Sequence, residues 1–250
     1  MATLDLSFRS KSLNFYTRVK IYLPEKITAD TPVLYLLHGM YGDCDSWVNG
    51  SAVGRYAMAR NMAVIMPSVE NSFYCNMKYG PGYYDYVAKE LPEYLCGLLS
   101  LSEEREKNFI AGLSMGGYGA FKIALRNPER YAAAASLSGC LNIAATVSKR
   151  KWGNIAESIW GSDYATSLIG TEDDIMHLVD NFPSDKPKPA LYFCCGTEDG
   201  LHNDCSVMIS HLEGKGFDYK FEDGPGGHNW LFWDTWIESA MDHMLGSVGE

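Results

Sequence analysis

The stretch from residue 107 to residue 126, KNFIAGLSMGGYGAFKIALR, limits the fold of this chain more than any other. Its first part, residues 108–111, is short and apolar and leads into glycine, which is typical of a buried strand. The pentapeptide GLSMG (112–116) follows, and after it an almost continuously apolar helix that ends near residue 127. Glycines on both sides of the serine have no Cβ, so strand and helix can approach closely around it. The sequence therefore predicts a strand, a sharp turn and a helix, with the Ser114 hydroxyl exposed at the turn.

Length and charge limit the kinds of protein this chain can be. Its 250 residues suit one domain (1–250) of the larger α/β kind. The net charge of −10 and the pI of about 5.1 exclude a nucleic-acid or anionic-membrane surface. No apolar run is long enough to span a membrane, and residues 1–22 alternate in polarity without the apolar block of a signal peptide. We therefore expect a cytoplasmic protein; the sequence leaves open whether it forms a homo-oligomer.

The seven cysteines show neither a C-x-x-C pair nor a metal-binding Cys/His spacing. Free, packed thiols in a reducing compartment are the expected state, and no sequence context activates a catalytic cysteine. Two carboxylates, Asp43 and Asp45, could suggest a cation site, but acidic residues before a helix are more often caps. We expect no metal and no organic cofactor.

Two kinds of apolar pattern predict the architecture. Two alternating segments at the N-terminus suggest an antiparallel edge pair, and later continuous apolar runs are typical of parallel strands covered on both faces. The predicted strands are residues 3–9, 15–23, 32–37, 62–66, 108–111, 131–137, 190–195 and 218–222. Helical patterns lie between them, and Pro92 predicts a kink or break in the helix of residues 85–99. Residues 141–185 indicate a small insertion of two or three helices. The chain is thus predicted to be α/β, with a mostly parallel sheet of about eight strands and helices on both faces.

A serine hydroxyl needs a base within hydrogen-bond reach to act as a nucleophile. Reactive loops of a parallel sheet lie beyond the carboxyl ends of its strands, which selects among the six histidines. His228 lies in the turn GPGGHNW after the last predicted strand, whereas His177 and His211 lie in predicted helices. His38 also follows a strand but precedes the serine and belongs to a different motif. His228 is therefore the predicted base, in the chain order nucleophile, acid, histidine.

The acid that orients this base should follow a strand between the serine and the histidine. Asp199 lies in a glycine-flanked turn after the strand of residues 190–195. Its neighbour Glu198 would point elsewhere, Asp223 is too close to the last strand, and Asp204 begins a helix. Asp199 is thus expected to hold the tautomer of His228 and to stabilise its protonated form.

A tetrahedral oxyanion needs two aligned backbone N–H donors. Met115, at the start of the helix after the serine, is predicted to supply one. The loop HGMYG after the strand of residues 32–37 is predicted to supply the other, through Met40 or else Tyr41. The aromatic residues Trp47, Tyr74 and Trp230 are candidates for the pocket wall, although part of this aromatic set is expected to be ordinary packing.

With these residues placed, the chain resembles the Putative esterase family of the α/β-hydrolases. That family includes tributyrin esterases, S-formylglutathione hydrolases (esterase D) and feruloyl or acetylxylan esterases. The matching stretches follow the family's order: LLHGMYGDCDSW (36–47), SFYCNMKYG (72–80), KELPEYL (89–95), IAGLSMGGYGAFKIALRNPERY (110–131), SLSG (136–139), GTEDGL (196–201) and GPGGHNW (224–230). The likeness is strongest to the small, leaderless tributyrin-esterase type.

The resemblance implies an α/β-hydrolase fold, a triad of Ser114, Asp199 and His228, and oxyanion donors at Met40 and Met115. It also implies that residues 141–185 cover the active site. The N-terminal part is shorter than in the formylglutathione hydrolases. This difference argues against a thioester substrate without excluding one. The hypothesis is that this chain is a serine carboxylesterase that hydrolyses short acyl esters.

Three enzymatic alternatives remain open: a thioester hydrolase, a feruloyl or sugar-acetyl esterase, and an acyltransferase. A catalytically silent binding module is the non-enzymatic alternative.

Overall fold

A computed structural model describes residues 1–149, 152 and 154–248 and contains one sheet of eight strands in the order β1-β2-β4-β3-β5-β6-β7-β8. The strands are β1 (Ala2–Arg9), β2 (Tyr16–Leu23), β3 (Val33–Leu37), β4 (Ala63–Pro67), β5 (Asn108–Leu113), β6 (Ala133–Leu137), β7 (Ala190–Gly196) and β8 (Tyr219–Gly224). The β1–β2 and β2–β4 pairs are antiparallel, and every other pair is parallel. The predicted α/β class and the N-terminal antiparallel pair are confirmed. The carboxyl ends of β3 to β8 consequently share one edge of the sheet.

Helices cover both faces of this sheet. They are α1 (Ser46–Gly50), α2 (Val53–Ala59), α3 (Tyr83–Asp85), α4 (Leu91–Leu99), α5 (Met115–Arg126), α6 (Ile143–Lys149), α7 (Asn154–Trp160), α8 (Tyr164–Ser167), α9 (Ile175–Asp180), α10 (His202–Leu212) and α11 (Trp230–Gly246). Val33, Tyr35 and Leu37 of β3 join a core with α4, α5 and α10, whereas Leu34 and Leu36 join a second core with α2 and α11. Both faces of β3 are therefore buried, which explains its uninterrupted apolar sequence. Within the described residues, no helix combines the length and the apolar character needed to cross a bilayer.

Pro92 does not break its helix. A π-helical turn, Tyr86–Glu90, lies between α3 and α4, and Pro92 is the second residue of α4. Because proline has no N–H to offer the carbonyl four residues earlier, the wider turn accommodates the missing bond. The segment of residues 141–185 also differs from expectation, since its described residues form four short helices (α6 to α9) rather than two or three.

A buried lysine links the helix after Ser114 to this insertion. Lys122 is fully buried, and its ammonium donates to Asp173 Oδ1 (2.9 Å), to the carbonyl of Phe73 (3.2 Å) and to Cys75 Sγ (2.9 Å). Burial alone would lower the pKa of Lys122, but Asp173 and Cys75 outweigh burial and raise that pKa. Burial alone would likewise raise the pKa of Asp173, but Lys122 lowers it. The ion pair is therefore charged at neutral pH.

Replacing Lys122 by methionine should lower the free energy of unfolding by about 3 kcal/mol at pH 7, because Asp173 would remain a largely buried charge that has lost the cation paired with it. Since the folded-state pKa of Asp173 is lowered, its contribution is present above the unfolded pKa and is lost as pH falls through the folded value. The difference between wild type and variant should therefore shrink in acid. Urea unfolding at several pH values measures this.

Two further variants serve as controls for this expectation. Lys122→Met/Asp173→Asn should recover part of the loss, because it removes both charges. Lys89→Met removes a lysine from an exposed pair with Asp85 and should change stability by less than about 0.5 kcal/mol. Equal effects of the two lysine replacements would contradict the buried-pair account.

Candidate active site

Ser114 lies in the turn between β5 and α5, at the carboxyl edge of the sheet. Its backbone angles are φ 53° and ψ −115°, a strained conformation for a residue with a side chain. Neighbouring glycines allow this turn: a Cβ on Gly112 would lie 2.5 Å from the backbone of Gly116, and one on Gly116 would lie 2.7 Å from the His38 carbonyl oxygen. The predicted strand–turn–helix is thus present, and Ser114 is partly exposed at its tip.

His228 lies in the turn between β8 and α11, at the same edge. Its Nε2 is 2.9 Å from Ser114 Oγ, and its Nδ1 is 2.8 Å from Asp199 Oδ2. The three side chains that the sequence singled out, although far apart in the chain, therefore form one continuous hydrogen-bonded row. Trp233 packs its ring edge-to-face with the His228 ring, with ring centres 5.0 Å apart, and so supports its orientation.

Asp199 is buried, and both oxygens of its carboxylate take part in hydrogen bonds. Oδ1 accepts the N–H of Leu201 (3.0 Å), and Oδ2 faces His228. Burial would by itself raise the pKa of Asp199, but the hydrogen bonds from His228 and Leu201 lower it. An ionised Asp199 can only accept, so Nδ1 of His228 carries its proton and Nε2 is left to accept from the Ser114 hydroxyl.

The other candidate acids are directed elsewhere. Glu198 is exposed, and Asp223 pairs with His202 at 2.9 Å. Asp204 lies within 3.3 Å of the Asn142 N–H, at the start of the insertion. In the part of the chain that the structure describes, His228 bonds to Asp199 and Ser114 and to none of these three carboxylates.

The two predicted oxyanion donors flank Ser114. Met115 is the first residue of α5, so its N–H has no acceptor within the helix. Met40 follows Gly39, where an added Cβ would lie 3.5 Å from Ser114 Cβ. The alternative donor, the Tyr41 N–H, is already bonded to Asn71 Oδ1 at 2.7 Å. Of the two residues considered in this loop, Met40 is therefore the one with an N–H left to donate.

A cleft of about 420 Å³ opens above the serine. Its described lining consists of Gly39, Met40, Tyr41, Gly42, Ser46, Leu113, Ser114, Cys140, Trp152, His228, Trp230 and Trp233. None of these residues is Lys, Arg, Asp or Glu. The described wall combines apolar and aromatic side chains with the polar side chains of Ser46, Ser114 and His228.

Two of the three aromatic residues predicted for the wall lie behind it. Trp47 is 1% exposed, and its indole N–H donates to the Leu37 carbonyl at 3.0 Å. Tyr74 is fully buried, and its hydroxyl donates to the His38 carbonyl at 2.9 Å. Both residues are held there by hydrogen bonds between their polar atoms and the backbone. Trp230 does line the cleft and packs edge-to-face on Trp47.

Three aromatic residues of the wall were not predicted for it. Trp233 follows Trp230 by three residues at the start of α11, a spacing that places both on one face and could have identified it. Tyr41 is 81% exposed at the cleft mouth, and Trp152 comes from the insertion. No local sequence signal separates Trp152 from a core tryptophan.

The acidic pair before α1 is engaged within the protein. Asp43 accepts the Asp45 N–H at 2.9 Å, and Asp45 contacts Arg18 and Lys20, each at 3.0 Å. Asp45 occupies the N-cap position of α1, but its side chain makes no capping hydrogen bond to the helix. In the same turn, the Asp43 N–H donates to Ser46 Oγ. The expected capping role is therefore replaced by ion pairing with β2.

Comparison with known proteins decides the family, because the profile of the Putative esterase family matches residues 10–244. The chain belongs to this family. An acetyl esterase of Caldicellulosiruptor saccharolyticus is 33% identical to it, with 98% of each chain covered.

Solved structures agree with this membership. A fluorophosphonate-binding serine hydrolase of Staphylococcus aureus is 35% identical with a TM-score of 0.90, and an S-formylglutathione hydrolase of the same organism is 35% identical with a TM-score of 0.88. Each comparison covers 98% of both chains. The protein is an ester-hydrolysing enzyme with the α/β-hydrolase fold.

Proposed function

We propose that this esterase is a serine carboxylesterase for short acyl esters, with Ser114, His228 and Asp199 as its catalytic triad. The observation that carries the proposal is the placement of His228, which lies 2.9 Å from the Ser114 hydroxyl and 2.8 Å from the Asp199 carboxylate. An acceptor nitrogen at this distance can remove the serine proton as the hydroxyl attacks.

In the proposed reaction, Ser114 Oγ attacks the ester carbonyl while its proton passes to Nε2 of His228. The protonated His228 is stabilised by Asp199 and then donates this proton to the departing alcohol, leaving an acyl group on Ser114. Water, deprotonated by His228, attacks the acyl-enzyme and releases the carboxylic acid. The Met40 and Met115 N–H groups stabilise the negative oxygen in both tetrahedral intermediates.

The dimensions and chemistry of the cleft support a small, uncharged ester. A volume of about 420 Å³ lies near the lower end of the range typical for small-molecule sites. The described lining has aromatic and apolar side chains without a charged partner for a substrate anion. The relative named acetyl esterase agrees with a short acyl group.

S-formylglutathione is the second candidate substrate, because a structure of that name is 35% identical over 98% of this chain. Glutathione carries carboxylates, which a cation near the cleft would bind. Arg150 and Lys151 adjoin the cleft residue Trp152 in sequence but lie outside the described residues. A thioester activity that depends on these two residues would favour this candidate.

A substrate panel tests the proposal. We expect kcat/KM for p-nitrophenyl acetate and butyrate to exceed that for the octanoate by at least about 10-fold, because the cleft is small. S-formylglutathione should be a poorer substrate than p-nitrophenyl acetate. Preference for the octanoate would contradict the short-acyl assignment, and a preference for S-formylglutathione that Arg150→Ala/Lys151→Ala abolishes would establish the second candidate.

We also propose that residues 141–185 form a small cap within a single domain spanning residues 1–250, since Trp152 contributes to the cleft wall. The seven cysteines are buried and none forms a disulfide, which supports a cytoplasmic location.

A further inference from the structure

The segment of residues 68–74, which we name the bracing loop, follows β4 and contacts the loop of residues 38–41. Three of its non-glycine residues have positive φ angles: Glu70 (53°), Phe73 (50°) and Tyr74 (53°). Each such angle costs free energy, so the surrounding contacts must hold the loop in place. Lys122 supplies one of these contacts by donating to the Phe73 carbonyl, and Gly119 allows the Tyr74 ring to lie directly against α5.

The bracing loop makes three hydrogen bonds to the loop of residues 38–41 that carries the proposed oxyanion donor. The Val69 N–H donates to His38 Nε2 at 3.1 Å, and the Tyr74 hydroxyl donates to the His38 carbonyl at 2.9 Å. At the other end, Asn71 Oδ1 accepts the Tyr41 N–H at 2.7 Å. The residue that carries the donor therefore lies between two anchored neighbours.

The His38 side chain also restricts the direction of the Met40 N–H. Its Nδ1–H donates to the Gly39 carbonyl at 2.7 Å while its Nε2 accepts from Val69. Burial lowers the pKa of His38 and keeps it neutral, the only form that can donate at one nitrogen and accept at the other. The Gly39 carbonyl and the Met40 N–H share one planar trans peptide, so fixing the carbonyl direction also fixes the opposite direction of the N–H.

We infer that Tyr74 and Asn71 are positioning residues that aim the Met40 N–H at the developing oxyanion. Tyr74 fixes the peptide that precedes Gly39, and Asn71 fixes the peptide that follows Met40. Neither residue lines the cleft, so each acts on the reaction through the backbone rather than by touching substrate. This inference rests on the proposed function, since it requires the Met40 N–H to serve as an oxyanion donor.

Tyr74→Phe tests the inference by removing one hydroxyl. We expect kcat for p-nitrophenyl acetate to fall about 10-fold with KM within twofold of wild type, because the bond matters only when negative charge develops. The inhibition constant of a trifluoromethyl ketone, which imitates the tetrahedral oxyanion, should rise by a similar factor. Asn71→Ala should act in the same direction with a loss of about fivefold.

Tyr131→Phe is the matched control. Tyr131 is also fully buried, but its hydroxyl has no hydrogen-bond partner among the described residues, so its removal should leave kcat and the inhibition constant unchanged. Thermal melts of all variants show whether each is folded at the assay temperature.

The outcomes separate this inference from the proposed function. Wild-type kcat and inhibitor affinity in both Tyr74→Phe and Asn71→Ala would overturn the inference while leaving the triad intact. A loss of thermal stability in Tyr74→Phe with unchanged kcat would assign Tyr74 a purely structural role and overturn it as well. Full activity in Ser114→Ala would instead overturn the proposed function on which it rests.

Discussion

Replacing Ser114 by alanine should lower kcat for p-nitrophenyl acetate by about 10⁴- to 10⁶-fold. The change removes the hydroxyl to which His228 is hydrogen-bonded, so no acyl-enzyme can form. Whatever acceleration remains would come from binding and from the oxyanion donors. Steady-state rates on freshly purified protein, with the substrate well above KM, measure the loss.

A glycine variant separates the chemistry of Ser114 from its backbone strain. Both Ser114→Ala and Ser114→Gly should be inactive, but glycine adopts the positive φ of 53° without the strain that the Cβ of serine or alanine experiences there. We therefore expect the glycine variant to be more stable than the alanine variant by about 1 kcal/mol in urea unfolding. Retention of more than one per cent of wild-type kcat by the alanine variant would exclude Ser114 as the nucleophile.

Replacing Asp199 by asparagine should lower kcat by about 10⁴-fold, the size of the effect known for the equivalent change in a serine protease. The asparagine amide can donate to Nδ1 of His228 and would favour the tautomer whose proton lies on Nε2. That tautomer cannot accept the Ser114 proton, although the geometry is kept. Glu198→Gln, which neutralises the exposed neighbouring carboxylate, should leave kcat within twofold of wild type.

The pH dependence of stability gives a second check on Asp199. Its folded-state pKa is lowered, so its contribution is present above the unfolded pKa and is lost as pH falls through the folded value. The stability difference between wild type and Asp199→Asn should consequently shrink in acid. A difference that grows as pH falls would contradict an ionised Asp199.

Much of this arrangement could be predicted because local patterns and topology point to one edge of the sheet. Alternating and continuous apolar patterns predicted the eight strands that the structure describes, and parallel pairing then placed the loops that hold Ser114, Asp199 and His228 at one edge. Glycine spacing around Ser114 predicted the sharp turn for steric reasons. These inferences depend on backbone geometry, which short sequence patterns encode well.

The pocket wall could not be predicted in the same way. Whether Trp47 or Tyr74 faces the cleft depends on which backbone carbonyl its polar atom reaches, and composition does not contain that information. Pro92 predicts an irregular helix, but the sequence does not distinguish a kink or a break from the π-helical turn that the structure contains. The contacts of His38 could not be predicted either, because they depend on Val69, which is 31 residues away in the chain.

Covalent labelling tests the central claim most directly, that His228 and Asp199 activate Ser114. A fluorophosphonate should add one label per chain, and peptide mass spectrometry should locate it on Ser114. The labelling rate should fall at least about 10³-fold in His228→Ala and in Asp199→Asn. A label on another residue, or a rate unchanged in both variants, would contradict the account.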